Sequence, residues 1–274
     1  MKKLFFLLTF ILITQFTIAQ EKQGIVNYGY IKSLLFGNKN EDEFNAQLLF
    51  DSNQSYFVTQ KDSLEKEIVN STEVKIISST NNEDNSKSAT VIGNRAYLTT
   101  LTGNQVYYNK NKDSIWSFLR NPNNMYIAEK RPTISWKFEK ETKKIGTYTC
   151  YKAIAPFRGR EYTVWYTPEI PIPYGPWKFN GLPGLVLEAY DSEYKIYFYF
   201  KNIEYPVKEP IKIDFIKEAP DSTFKKWFTY KMYLKTIKID NKIKYEKMLL
   251  LAKQIEDFIP VEPKIEQHYI EISD

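Results

Sequence analysis

The residues that most often carry acid–base, nucleophilic or metal chemistry are scarce, because the chain has one cysteine, Cys150, and one histidine, His268. A single thiol and a single imidazole cannot build a Cys/His zinc site, and they make a nucleophile–histidine triad hard to assemble. Cys150 shares a predicted strand face with Tyr148 and Ile154, which favours a structural, apolar role. His268 lies in a polar tail, a poor support for a general base. The sequence therefore predicts no catalytic residue, no metal site and no cofactor.

Four carboxylates near the middle of the chain are the remaining candidates for catalysis: Glu161, Glu169, Glu188 and Asp191. Glycoside hydrolysis uses two carboxyl groups about 5–10 Å apart. The chain has 33 acidic residues, so accidental pairs are expected. Alternation places Glu188 on the strand face opposite Leu187, and we interpret these side chains as solvent-facing or as partners of nearby arginines. A carboxylate-based hydrolase stays an alternative function, although a non-catalytic function is favoured.

Aromatic residues are the largest surplus, at 16% of the chain. In the central strands the rings fall on both faces: Trp165 opposes Tyr166, and Tyr197 lies on the lysine-bearing face of its strand. If helices cover one face, the other could form a half-open aromatic cradle for an apolar ligand. Alternatively, the N-terminal strands cover that face as a second layer. The predicted ligand-binding residues are Trp165, Tyr166, Trp177, Phe179, Tyr197 and Tyr199.

A segment rich in proline and glycine, residues 168–184, interrupts the central strands. It cannot be a central strand, because proline lacks a backbone donor and fixes φ. Its apolar side chains, such as Ile170 and Leu182, indicate a loop packed on its own residues. Pro183 and Gly184 fit the central positions of a type II turn, so Gly184 is expected to have a positive φ. On that basis Gly184→Val should destabilise the fold.

This segment carries a motif that resembles the signature of the GLPGLI family of exported Bacteroidota proteins. The residues concerned are Gly181, Leu182, Pro183, Gly184, Leu185 and Val186. Val186 departs from the family's last position but keeps β-branching. The similarity covers about residues 148–191, and elsewhere only the general layout matches. The resemblance implies a Gram-negative periplasmic or secreted location and brings no catalytic assignment. We interpret the motif as structural.

Apolar and polar side chains alternate with period two through the centre of the chain, which predicts β-strands there. The candidate residues named above are therefore expected to lie on strands or on the loops between them. Short strands and turns are also predicted from Gly24 to about Asn109, including a hairpin at residues 102–104. The predicted central strands cover residues 134–138, 148–154, 162–166, 185–190 and 194–201, and tight turns are predicted at 158–160 and 191–193.

Near the end the period becomes helical. Asp221 or Ser222 could cap a helix containing Trp227 and Phe228, and helices are predicted over about 221–259, followed by a polar tail at 260–274. The predicted fold is mainly β, a β-rich α+β class, with a curved antiparallel meander sheet or half-barrel and C-terminal helices. Residues 20–274 are expected to form a single domain, although the first 90 or so mature residues could form a separate lobe.

The N-terminus predicts export. Lys2 and Lys3 precede an apolar run at 4–13, and a small residue, Ala19, ends the pattern of a signal peptide over residues 1–19. No cysteine follows that run, so lipid attachment is not expected, and no later segment is long and apolar enough to span a membrane. Subtracting Lys2 and Lys3 from 38 basic residues leaves 36 against 33 acidic ones, a net charge of +3 that argues against nucleic acid as a partner.

Together these features favour a non-catalytic periplasmic binding or carrier protein for an apolar or peptide ligand. An alternative is a cell-envelope protein whose loop and sheet edges dock a partner such as an outer-membrane transporter. The sequence leaves the oligomeric state open.

Overall fold

The structure is a computed structural model that describes residues 22–32, 42–65, 75–80, 87–92, 99–120, 124–217, 226–252, 262 and 270–273. The predicted signal peptide, the predicted cap at Asp221 or Ser222, residues 253–259 and His268 lie outside these ranges. Within them, no helix is both long and apolar enough to cross a bilayer.

The described chain is mainly β, which confirms the predicted fold class. The N-terminal strands are β1 (Gly24–Lys32), β2 (Asp42–Phe50), β3 (Gln54–Thr59), β4 (Lys75–Thr80), β5 (Lys87–Ile92), β6 (Asn104–Asn109), β7 (Ser114–Leu119) and β8 (Met125–Lys130). The others are β9 (Lys137–Ile145), β10 (Tyr148–Phe157), β11 (Arg160–Thr167), β12 (Leu185–Asp191), β13 (Ile196–Glu204) and β14 (Trp227–Thr229), and one helix follows, α1 (Tyr230–Ala252).

Twelve of these strands form one sheet in the order β14-β8-β7-β6-β3-β2-β1-β13-β12-β11-β10-β9, and β4 pairs with β5 separately. Two antiparallel meanders meet where β1 pairs with β13, with Tyr30 opposite Phe198. Apart from β4 and β5, the strands of the N-terminal and central parts of the chain therefore share one sheet.

The sheet is strongly curved. Glu129 on β8 forms an ion pair with Arg158 in the β10–β11 turn. β8 and β11 are eight strand positions apart in the sheet, or roughly 40 Å if the sheet were flat. The ion pair can form only because the sheet curls until its two halves face each other. Most of the buried apolar residues lie on the resulting concave side, where Phe57 of β3 meets Phe198 of β13 at 5.8 Å between ring centroids.

The C-terminal helix begins later than the sequence predicts. Trp227 and Phe228 belong to strand β14, which runs parallel to β8 with Trp227 opposite Tyr126. Aromatic and β-branched residues favour this pairing, which also covers the open edge of β8. Thr229 is the cap, because its Oγ1 accepts a hydrogen bond from the Met232 amide at 3.3 Å. One helix, α1, occupies the described part of the predicted helical region.

Two predicted strand boundaries are wrong. Ile134 and Trp136 precede β9 in irregular chain, where the Trp136 amide donates to the Ile134 carbonyl at 3.1 Å and its indole donates to the Asn180 carbonyl at 2.9 Å. The predicted hairpin at 102–104 is absent from the described residues: β6 pairs with β3 and β7, and residue 100 makes only an isolated bridge to Lys61.

The predicted type II turn at Pro183 and Gly184 is also wrong. The positive φ lies at Gly181 (+85°), and Gly184 has none. Gly184 is required for space, because a Cβ there would lie 2.1 Å from the Thr167 carbonyl oxygen. The motif thus passes close beside the end of β11.

Candidate functional site

A cavity opens on the concave side of the sheet, and we call it the concave cavity. The volume open to the centre of a water molecule is about 70 Å³, and the empty space including the mouth is about 650 Å³. Its apolar lining comes from five strands and from the proline-rich loop: Tyr30, Phe57, Val106, Leu119, Trp177 and Phe198. Tyr233 of α1 and Ile270 of the C-terminal segment close another side.

Strand alternation aims the apolar wall inward. Tyr30 on β1 stacks on Phe198 of β13 with ring centroids 4.6 Å apart and an interplanar angle of 9°. Phe57 on β3 meets Phe198 edge-on, at 82°. All three side chains are at least 96% buried. These contacts fix the ring positions, so the wall is largely preformed.

The polar lining lies at one end of the strands. Lys32 is the last residue of β1, Thr59 the last of β3 and Asn104 the first of β6. Gln60, also at this end, accepts a hydrogen bond from the Asn104 amide at 2.6 Å. Because β1 and β3 run in the same direction and β6 runs in the opposite one, these residues lie together at one end of the strands. The interior of the concave cavity is therefore apolar, and its lining is polar at this end of the strands.

The proline-rich loop supplies one wall of the cavity through Trp177. Trp177 packs against Phe157 (5.4 Å between centroids) and Phe179 (5.3 Å), and it is 6% exposed. The backbone of the motif is tied down on both sides, since Val186 donates to the Tyr174 carbonyl at 2.9 Å and its own carbonyl accepts the Tyr28 hydroxyl at 2.6 Å. The loop packs on its own side chains, as its sequence indicates.

Behind this wall lies a buried charge cluster of Glu129, Arg158, Lys178 and Glu271. The Lys178 ammonium lies 2.7 Å from a Glu129 oxygen and 2.8 Å from a Glu271 oxygen, and the side chains of Lys178 and Glu271 are fully buried. The Arg158 guanidinium stacks 3.5 Å from the ring centroid of Tyr230. The cluster joins β8, the β10–β11 turn, the proline-rich loop and the C-terminal segment.

Of the residues predicted to bind ligand, Trp177 lines the concave cavity and Phe179 lies in the core beside it. Trp165 and Tyr166 are buried away from it. The Lys143 ammonium lies 4.4 Å from the Trp165 ring centroid, and Tyr166 contacts aromatic rings of β9 and β10.

Tyr197 and Tyr199 are half-buried on the outer face of the sheet, with ring centroids 5.6 Å apart. The Tyr199 hydroxyl donates a hydrogen bond to Glu43. Burial and, as the smaller cause, this hydrogen bond raise the Tyr199 pKa to about 12. Burial likewise raises the Tyr197 pKa to about 12. The six residues therefore do not form one site.

Two of the four central carboxylates, Glu188 and Asp191, pair with cations. Glu188 pairs with Lys143 at 2.6 Å, and Asp191 pairs with Arg160 at 3.0 Å while accepting the Ile196 amide. The predicted arginine partner is thus observed for Asp191 but not for Glu188. Across the described ranges, no three metal-ligating side chains come together.

Cys150 is buried, and this desolvation raises its pKa to about 12. The thiolate is the reactive form, so at pH 8 we expect an aromatic disulfide reagent to react with the native protein at least about 1000-fold more slowly than with protein unfolded in urea. The release of the reagent's chromophore measures both rates. Rapid native labelling at pH 8 would contradict the burial-based argument.

Comparison with known proteins gives a short sequence match. A family model described as a protein of unknown function (Porph_ging) matches residues 157–188, which contain β11, the proline-rich loop and the motif. The match supports an uncharacterised family over this segment, and the GLPGLI name stays a prediction. No curated protein matches the chain.

Solved structures give distant matches. PNGF-II, solved in a P21 crystal, is 15% identical with a TM-score of 0.44 and covers 76% of this chain; the chain spans 31% of PNGF-II. A LolA superfamily protein from Nitrosomonas europaea is 10% identical with a TM-score of 0.25, over 76% of this chain and 91% of that one. Similarity to known proteins therefore shows only that residues 157–188 match the model of a family of unknown function.

Proposed function

We propose that the protein is a non-catalytic binding or carrier protein that is exported to the periplasm or beyond and holds a small apolar ligand in the concave cavity. The observation that carries this proposal is the preformed aromatic wall of Tyr30, Phe57 and Phe198 around an open space. Water in such a space gains few hydrogen bonds from ring faces, so an apolar occupant is favoured. The predicted signal peptide supports the exported location.

Binding of a neutral fluorescent dye, N-phenyl-1-naphthylamine, tests the proposal. We expect saturable fluorescence with one dye per protein and displacement by 1-dodecanol. Leu119→Trp adds a large side chain to the cavity lining and should weaken the dye by about 10-fold or more, because an occupied space excludes the ligand. Leu101→Trp is the matched control, since Leu101 is 70% exposed and does not line the cavity.

The comparison is made on protein whose circular dichroism and melting temperature show that each variant is folded. Equal dye affinity in the Leu119→Trp and Leu101→Trp variants would place the dye outside the concave cavity. Absence of any dye binding by the unaltered protein would remove the carrier proposal.

A further inference from the structure

Helix α1 carries apolar side chains on two separate faces. Tyr230, Tyr233 and Ile237 are buried and pack against residues of β7 and β8. The residues of the second face are exposed: Met232 (39%), Ile239 (50%), Ile243 (44%) and Leu250 (61%). Steps of seven, four and seven residues place them on one side of the helix. They form an apolar stripe about 27 Å long on the side that faces away from the sheet, and we call it the α1 stripe.

The side chains beside the α1 stripe are mostly basic. Helix α1 contains six lysines and two carboxylates, and six minus two gives it a net charge of +4. Both carboxylates are matched within the helix, since Asp240 pairs with Lys244 at 2.8 Å and Glu246 pairs with Lys242 at 3.8 Å. The other four lysines are all exposed: Lys231, Lys235, Lys238 and Lys247. With 3.6 residues per turn, the first three lie along one flank of the stripe and the fourth lies along the other.

This combination fits a lipid surface better than a protein partner. A helix that lies on an anionic bilayer has an exposed apolar stripe with lysines beside it, whose long stems hold the ammonium groups at the level of the lipid phosphates. Protein–protein interfaces are instead enriched in arginine and aromatic rings and depleted in lysine, and the stripe and its four flanking lysines include neither. A second copy of the chain is disfavoured as well, because two helices of charge +4 would repel each other across the contact.

We propose that the outer face of α1 binds the surface of an anionic phospholipid bilayer, with the helix parallel to the surface and the α1 stripe within the interface. The inference goes beyond the carrier proposal and does not depend on it, because no residue of the stripe or of its flanks lines the concave cavity. The lysines attract the lipid phosphates and the apolar side chains enter the acyl boundary. Because the lysines are exposed, salt screens their attraction and weakens the binding.

Flotation with lipid vesicles tests the proposal on the predicted mature chain, residues 20–274, so that the apolar run at 4–13 does not contribute. At low salt, we expect vesicles of equal parts phosphatidylglycerol and phosphatidylcholine to bind the protein at least about 10-fold more tightly than phosphatidylcholine alone. About 0.5 M sodium chloride should remove most of this preference. The stripe variant, Ile239→Gln/Ile243→Gln, and the lysine variant, Lys235→Gln/Lys238→Gln, should each bind the anionic vesicles about 10-fold more weakly.

The matched control is Lys140→Gln/Lys144→Gln, which removes the same charge from two exposed positions of β9. It should bind the anionic vesicles within about 2-fold of the unaltered protein, because these lysines lie outside the proposed contact. An equal loss in the control and the lysine variant would show that the total charge attracts the lipid, and it would overturn the proposal.

Two further results would also overturn it. One is a failure of the unaltered protein to bind anionic vesicles at low salt. The other is a dimer of the unaltered protein that the stripe variant dissociates, measured by sedimentation velocity, because a second copy would then cover the α1 stripe. Circular dichroism of each variant confirms that the compared proteins are folded. The dye measurements on the concave cavity are independent of all these outcomes, so the carrier proposal is judged separately.

Discussion

Replacing Lys178 with methionine is expected to lower the free energy of unfolding by about 3–5 kcal/mol. The ammonium lies within 2.8 Å of Glu129 and Glu271, and the Lys178 side chain is fully buried. Its removal leaves two carboxylates in a low-dielectric interior with Arg158 as the neighbouring cation. Removing one partner of a buried ion pair costs far more than the pair contributes, because the remaining charge cannot be hydrated.

Urea unfolding followed by tryptophan fluorescence measures this effect. Lys195→Met is the matched control: it also removes a lysine from an ion pair, but Lys195 and Glu193 are 33% and 60% exposed, so we expect a change below about 1 kcal/mol. Adding Glu271→Gln to Lys178→Met should restore part of the lost stability, since one uncompensated charge disappears. A Lys178→Met variant as stable as the Lys195→Met variant would show that water or movement of the carboxylates compensates the charge.

The buried charge cluster also bears on the shape of the concave cavity. Glu271 is adjacent to Ile270, which lines the concave cavity, and Lys178 is adjacent to Trp177, which lines it from the proline-rich loop. The same ion pair therefore positions two walls of the cavity that come from distant parts of the chain. The cavity depends on this contact as well as on the sheet, so its shape and the stability of the protein are linked.

The sequence predicts the strands of the centre well, because buried and more exposed residues alternate over parts of β10, β11 and β12, although the second half of β11 is buried on both faces. It predicts the helix start poorly. Trp227 and Phe228 suit an apolar helix face as well as a strand, and the choice is made by the edge of β8, about 100 residues earlier in the chain. Because the pairing partner lies far away in the sequence, the residues around Trp227 carry no signal that predicts a strand there.

The sequence does not predict which residues form the wall of the concave cavity, for a related reason. Its wall joins Tyr30, Phe57 and Phe198, which lie on β1, β3 and β13 and meet only because β1 pairs with β13. Trp177 was identified from its place in the proline-rich loop. The ion-pair partners of Lys178 are not predicted, because Glu129 and Glu271 lie 49 and 93 residues away from it in the sequence. Alternation reports which face a residue occupies, but it does not report which distant strand that face meets.

Gly184→Ala is expected to cost about 3 kcal/mol or more of stability. The added Cβ would lie 2.1 Å from the carbonyl oxygen and 2.6 Å from the carbonyl carbon of Thr167. Both are backbone atoms at the end of β11, so the motif must move away from the strand, which overpacks or opens the core beneath Leu185. A valine at this position should be at least as destabilising as the alanine, because it adds two methyl groups to the same contact.

Gly181→Ala separates this steric cause from backbone strain. Gly181 has a φ of +85°, and its added Cβ would meet only the Trp136 indole nitrogen at 4.0 Å. The cost there should be limited to the left-handed conformation, about 1–2 kcal/mol. Thermal and urea unfolding of the two alanine variants give the comparison. A larger loss in Gly181→Ala than in Gly184→Ala would mean that φ, and not the approach to Thr167, makes glycine necessary in this motif.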